Sequence, residues 1–154
     1  MMRYFTKSLW SQMNHDDIII RTQAETAWQA NCMEYQLEFE KAMKCMPVEF
    51  VEEFLSRRGM HDYFFTEIAT VVSPKTAQCN LLLTDGKECV TITITGLQSS
   101  HVILDSGTVS MQRGLRWGYS EFSLTSDDVL NLCILCDDME SEFRFKFNSI
   151  AFVK

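Results

Sequence analysis

The feature that most constrains this fold is a change in hydrophobic period near residue 60. Before it, apolar residues recur every three or four positions; after it, they alternate. The first spacing puts apolar groups on one face of a helix, the second on one face of a strand. From about Thr22 to Met46 the apolar positions are Ala24, Trp28, Cys32, Tyr35, Phe39, Ala42 or Met43, and Met46, one stripe of a long amphipathic helix. Thr6 is placed to cap a short helix carrying Leu9, Trp10 and Met13, and Asn14–Asp17 read as a loop. Pro47 ends the long helix and suits the first turn of the next. That third helix runs Val48–Arg58 with Phe50, Val51, Phe54 and Leu55 inward, and Gly59 is its stop.

The β half opens with Tyr63–Val72, whose β-branched and aromatic content favours a strand. Cys79–Thr84 and Lys87–Thr95 flank Asp85-Gly86, a strong hairpin signal. A two-residue turn there pairs Thr84 with Lys87, so that Leu81 faces Val90 and Cys79 faces Ile92. Further strands are expected at His101–Leu104, Thr108–Gln112, Arg116–Leu124, Val129–Cys136 and Ser141–Phe152. In the last of these Phe143, Phe145 and Phe147 point one way and Glu142, Arg144 and Lys146 the other. Ile150 and Phe152 break that parity, which predicts a bulge at Asn148-Ser149. Short connections favour an antiparallel meander over parallel crossovers. The expected fold is α+β: residues 1–154 form one domain, with helices over 1–59 packed on an antiparallel sheet over 60–154. Six to seven strands make up that sheet, arranged as a curled sheet, a barrel or a sandwich.

At 154 residues, 46% of them hydrophobic, the chain can bury a core without staples. Its net charge of −7 weighs against nucleic-acid binding, which draws most of its affinity from Lys and Arg. Residues 1–60 carry a net −2 and residues 61–154 a net −5. No apolar run reaches the roughly 18 residues of a membrane span, and no secretory leader is visible, so the expected setting is cytoplasmic. The six cysteines are irregularly spaced and read as reduced, buried thiols. Cys133 and Cys136 have C-x-x-C spacing, but three residues along a strand send the two sulfurs to opposite faces.

The opening Met2-Arg3-Tyr4-Phe5-Thr6-Lys7, with Leu9-Trp10, resembles the start of an uncharacterised family of mainly Gram-positive bacterial proteins, a domain of unknown function. The resemblance continues with a Pro-led helix before a His-Asp pair, here Pro47–Arg58 and His61-Asp62. It ends in a β-rich segment whose last hairpin is similar to Val129–Val153, and it covers about residues 2–13 and 47–154. It implies an α+β fold and a bacterial, cytoplasmic setting. It implies no activity, cofactor or site residue. The β-rich part also resembles small β-sheet immunity proteins that neutralise toxins, an analogy of fold alone.

Three groups of residues are candidates for function. His61-Asp62 follows a helix stop, and such a pair can serve acid–base or metal chemistry. The structural alternative makes Asp62 an acceptor for turn N–H groups and packs His61 at the helix–sheet seam. Arg113, Arg116, Trp117 and Tyr119 combine the residue types enriched at interface hot spots. Asp137, Asp138 and Glu140 form an acidic turn suited to a basic partner. Phosphate loops, dinucleotide fingerprints and nucleophile motifs are absent, so no cofactor is expected. The sequence reads best as a non-catalytic module that binds another protein, in an oligomeric state it leaves open. The alternative is a small metal-dependent hydrolase using His61 and Asp62, and a further alternative is a toxin-neutralising protein.

Overall fold

The computed structural model describes residues 2–103, 114–138 and 140–153. Three helices come first: α1 (Lys7–Met13), α2 (Ile18–Met43) and α3 (Val48–Ser56). Thr6 Oγ1 accepts Leu9 N at 3.2 Å and Asp17 Oδ1 accepts Ile19 N at 2.8 Å, so each of the first two helices starts at a side-chain cap. The Asp17 cap starts α2 four residues ahead of the expected Thr22. Its inner stripe is Ala24, Trp28, Tyr35, Phe39 and Ala42, as the spacing predicts, but Asn31 stands where Cys32 was expected. Asn31 Nδ2 donates to Tyr4 O at 2.8 Å, and Cys32 faces solvent. In α3, Phe50 and Phe54 are buried and Leu55 is exposed.

Among the described residues, eight antiparallel strands follow: β1 (Phe64–Val72), β2 (Ala77–Thr84), β3 (Cys89–Thr95), β4 (Ser99–Ile103), β5 (Trp117–Leu124), β6 (Leu130–Cys136), β7 (Glu142–Phe147) and β8 (Ser149–Val153). They form two four-stranded sheets, ordered β1-β2-β3-β8 and β4-β7-β6-β5, and no closed barrel. The segment expected as a strand at Thr108–Gln112 lies outside the described residues.

The two sheets are made from one bent ribbon. β3 pairs with β8 in the first sheet, and their continuations β4 and β7 pair in the second. The ribbon turns its corner at Gly96 and Asn148, where Asn148 N donates to Thr95 O at 3.2 Å and Gln98 N to Lys146 O at 2.7 Å. Gly96 has φ +63°, and a Cβ there would lie 2.7 Å from Asn148 Nδ2. This corner corrects the bulge expected at Asn148-Ser149. The parity of the phenylalanines breaks because the chain changes sheet, and Phe145, Phe147 and Ile150 are all buried as a result.

The β2–β3 hairpin also differs in register. Thr84 pairs with Cys89, Leu83 with Val90 and Leu81 with Ile92. Asp85 Oδ1 accepts the N–H groups of both Lys87 and Glu88, which lengthens the loop to four residues. The shift is two residues, so the faces are those expected: Cys79, Leu81, Leu83, Val90, Ile92 and Ile94 are buried together.

α3 lies where the sheets part. Phe50 stacks on Phe152 of β8 at 5.2 Å, and Phe54 meets Phe122 and Trp117 of β5 at 5.3 and 6.3 Å. Each such ring contributes about 1.5–3 kcal/mol through burial alone. Of the thiols, Cys79 and Cys136 are buried and Cys133 is half-buried on the other face of its strand from Cys136. Cys32, Cys45 and Cys89 are exposed, against the expectation that all six pack inside. No described helix is long and apolar enough to cross a membrane.

Candidate functional site

α3 is capped at its end by Arg57 and is followed by an unusual reversal. Arg58 (φ 55°), Gly59 (φ 66°), Met60 (φ 63°) and Asp62 (φ 75°) all lie in the left-handed region. That region costs a residue with a Cβ about 1–2 kcal/mol. The turn is held at both ends. Met60 is fully buried and its N–H donates to Arg57 O at 3.1 Å. Arg57 is tied to Glu53 at 3.0 Å, to Tyr63 Oη at 2.9 Å and to Glu88, with its guanidinium over Phe152. Beyond the turn, Asp62 N donates to Trp117 O at 3.0 Å and Trp117 N to Tyr63 O at 2.8 Å. The reversal is thereby stitched to the start of β5.

This stitching brings together residues from separate candidate groups. His61 Nδ1 lies 3.1 Å from Asp62 Oδ2. Arg116 Nη1 lies 3.6 Å from Asp62 Oδ1, and Arg116 Nε 3.6 Å from Asp137 Oδ2. The Arg116 guanidinium rests on the Phe64 ring at 4.7 Å. Arg116 N also donates to Asp137 Oδ1 at 3.3 Å, and Asp137 N to Arg116 O at 3.1 Å. The result is a half-exposed cluster of alternating charge on three backbone-fixed segments. The hydrogen bond from His61, with the charges of Arg116 and Arg58 behind it, holds the Asp62 carboxyl below its usual range.

The Asp62 carboxylate faces His61 and Arg116, not the turn N–H groups that the structural alternative assigned to it. His61 is exposed, not packed in the seam; its ring meets Tyr119 edge-on at 5.8 Å. Among the described residues, no group of three His, Cys, Asp or Glu side chains could hold a metal ion. The concave surface lined by Ser73, Lys75, Thr76, Gln78, Thr95 and Leu97 contains none of these residues.

The remaining candidates divide. Trp117 is fully buried, stacked on Phe65 at 5.6 Å, and its indole N–H has no acceptor among the described residues. It is a core residue, not a surface anchor. Tyr119 points to the opposite face because Gly118 sits at a register shift, where a Cβ would lie 2.7 Å from Leu135 O. There Tyr119 packs on Phe5 and Trp28, and burial raises its phenol pKa. Asp138 caps its own turn, accepting from Glu140 N, Ser141 N and Ser141 Oγ at 2.6–3.0 Å. Glu140 pairs with Lys7 of α1. The acidic turn therefore contributes Asp137 alone to the cluster. Arg113 lies outside the described residues.

Two residues were not singled out by sequence. Arg58, read as the last turn of a helix, is the exposed first residue of the left-handed reversal, beside Asp62. Glu121 is buried, and its carboxylate accepts Arg3 N at 2.7 Å, Tyr4 N at 2.6 Å and Phe5 N at 2.8 Å. The opening Met-Arg-Tyr-Phe is thereby a strap across β5, with Met2, Tyr4 and Phe5 buried under α2. A Glu at a strand position on the same face as Tyr119 and Cys133 was the available signal. Comparison with protein-family models gives no match for the chain, and comparison with curated proteins gives none either.

Proposed function

We propose that this chain is a non-catalytic protein-interaction module whose contact surface is centred on Arg58, His61, Asp62 and Arg116. The observation that carries this reading is the left-handed reversal. Arg58 and Asp62 are exposed side chains kept in a backbone region that favours glycine. Strain of this kind gathers where side chains do work on a ligand. Arg116 adds a flat guanidinium backed by an aromatic ring, a form of arginine frequent at interface hot spots. The family resemblance of the opening motif adds a bacterial, cytoplasmic setting to the same proposal.

The test is affinity capture from lysate of the source cells by the wild type, by an Arg58→Gly/Arg116→Ala double variant and by a remote Lys75→Ala control. The reading expects a protein retained by the wild type and the control and lost with the double variant. Equal retention by all three refutes it.

A second reading rests on the 3.1 Å contact of Asp62 with His61 Nδ1, which leaves Nε2 as the ring nitrogen for proton transfer. This is the small hydrolase. Its metal-dependent form must displace the Arg116 guanidinium, which already faces both Asp62 and Asp137. Ester or phosphoester hydrolysis that disappears in His61→Ala, or a metal-induced rise in melting temperature that disappears in Asp62→Ala, decides for it.

A further inference from the structure

Among the described residues, two clusters of buried side chains stand out. The larger fills the space between the sheets and continues through Phe54, Phe50, Met46 and Ala42. The smaller is built from Met2, Tyr4, Phe5 and Leu135, with Trp28 and Tyr119 against it. α2 belongs to both. Its end, at Phe39 and Ala42, packs into the larger cluster, while Trp28 and Tyr35 pack into the smaller.

Among the described residues, the polar fastening of the N-terminal part to the sheets consists of one exposed ion pair, Lys7 of α1 with Glu140, which such exposure makes weak, and a buried set centred on one carboxylate. Among the described residues, no backbone–backbone hydrogen bond joins residues 2–5 to a strand. The three N–H groups of Arg3, Tyr4 and Phe5 converge on one carboxylate, that of Glu121. The only other polar tie from α2 to the described part of β5 is Phe122 N to Tyr35 Oη at 2.8 Å. Hydrogen bonds to a charged acceptor contribute more than neutral ones, and removing the acceptor leaves three donors unpaired at once.

We propose that the strap, α1 and the first part of α2, residues 2–35, open from the sandwich as one unit, with the Glu121 carboxylate as the latch and the Phe39–Ala42 end of α2 as the hinge. Opening uncovers the outer face of β5 and β6 at Tyr119, Glu121, Cys133 and Leu135. Because Tyr119 also touches His61, the open form changes a neighbour of the charged cluster. Cooperative units of this kind open below the global unfolding free energy when a separate cluster, not the main core, holds them.

The chain carries its own reporters. Cys133 lies under the strap, whereas Cys79 and Cys136 lie in the main core. Labelling of the full-length protein with a bulky thiol reagent, followed by mass spectrometry, is expected to modify Cys133 before Cys79 and Cys136. Glu121→Gln keeps the shape and removes the charge. It should speed Cys133 labelling about tenfold or more and leave Cys79 and Cys136 within about twofold. Hydrogen exchange should show the amides of Arg3, Tyr4, Phe5 and Phe122 accelerating together with those of residues 19–35. Tyr35→Phe, a milder change, should act in the same direction. Cys133 labelling in step with Cys79 and Cys136, or Glu121→Gln speeding all three equally, overturns the proposal. A Cys133 rate indifferent to Glu121→Gln overturns it as well.

Discussion

The corner at Gly96 and the reversal after α3 both turn the chain through left-handed backbone, and they are built in opposite ways. At the corner the residue is the one the geometry demands: φ is positive, Asn148 leaves no room for a Cβ, and glycine stands there. At the reversal, Arg58, Met60 and Asp62 adopt the same backbone region with side chains in place. Met60 has an evident reason, since it is fully buried in the main core. Arg58 and Asp62 face solvent and gain no such packing. Backbone preference alone favours glycine or asparagine at Arg58, whereas the short Asp62 is of a type that enters this region and is held there by His61 and Arg116. The contrast separates strain kept for packing from strain kept for exposed chemistry.

Four measurements break or sharpen that contrast. Met60→Ala should show the largest effect, a loss of about 2–5 kcal/mol in urea unfolding, because the substitution opens a cavity and leaves the φ strain in place. A loss near zero means that burial is not what holds Met60 left-handed. Gly96→Ala should cost about 2–3 kcal/mol by the same measurement, from the positive φ and the Asn148 contact together. If it is neutral, the corner is more plastic than the reversal and the contrast fails. Arg58→Gly should raise stability by about 0.5–1 kcal/mol, with the gain read as a higher melting temperature. A destabilised Arg58→Gly protein assigns Arg58 a structural role.

The smallest effect concerns Glu88, which helps hold Arg57 at the mouth of the reversal. The Arg57 hydrogen bond, and then that from Tyr63, lowers the Glu88 carboxyl from its ordinary value of 4.5. A lowered pKa in the folded state means stability that is present above pH 4.5 and lost as pH falls through the lower folded value. Glu88→Gln should therefore melt slightly below the wild type at pH 7, and the gap should narrow as pH falls below 4.5. A gap that keeps its size as pH falls removes Glu88 from the account.

The parts of this fold that were legible in sequence are those encoded locally. The period of Ala24–Ala42 placed one helix face, the alternation in Glu142–Phe147 placed one strand face, and Thr6 marked a cap. The change of sheet at Asn148 was not legible, because a parity break in sequence looks the same for a bulge and for a corner. The hairpin register depended on one side chain, Asp85, accepting two N–H groups where a shorter turn was expected. At the candidate site, His61-Asp62, Arg116 and Asp137 each stood out, yet nothing in their spacing brings them together. Their meeting depends on backbone bonds between Asp62 and Trp117 and between Arg116 and Asp137. Glu121 escaped notice because its partners are main-chain N–H groups, which leave no mark in a sequence.

The bent ribbon bears on how quickly this chain can fold. β1, β2 and β3 are linked by hairpins, and so are β5, β6 and β7, so each set can assemble from near neighbours. Joining the sets requires Ile94 to find Ile150 and Ser99 to find Lys146, close to fifty residues away. Closing a loop of that length costs about 3–4 kcal/mol of chain entropy before any contact repays it. Such topologies fold in milliseconds to seconds, far slower than helical bundles of equal size. One corner serves both sheets, so a single search completes both. The rate-limiting encounter is therefore expected at Gly96 and Asn148. There a slowed search would leave two half-finished sheets, each with an open edge, exposed to other chains.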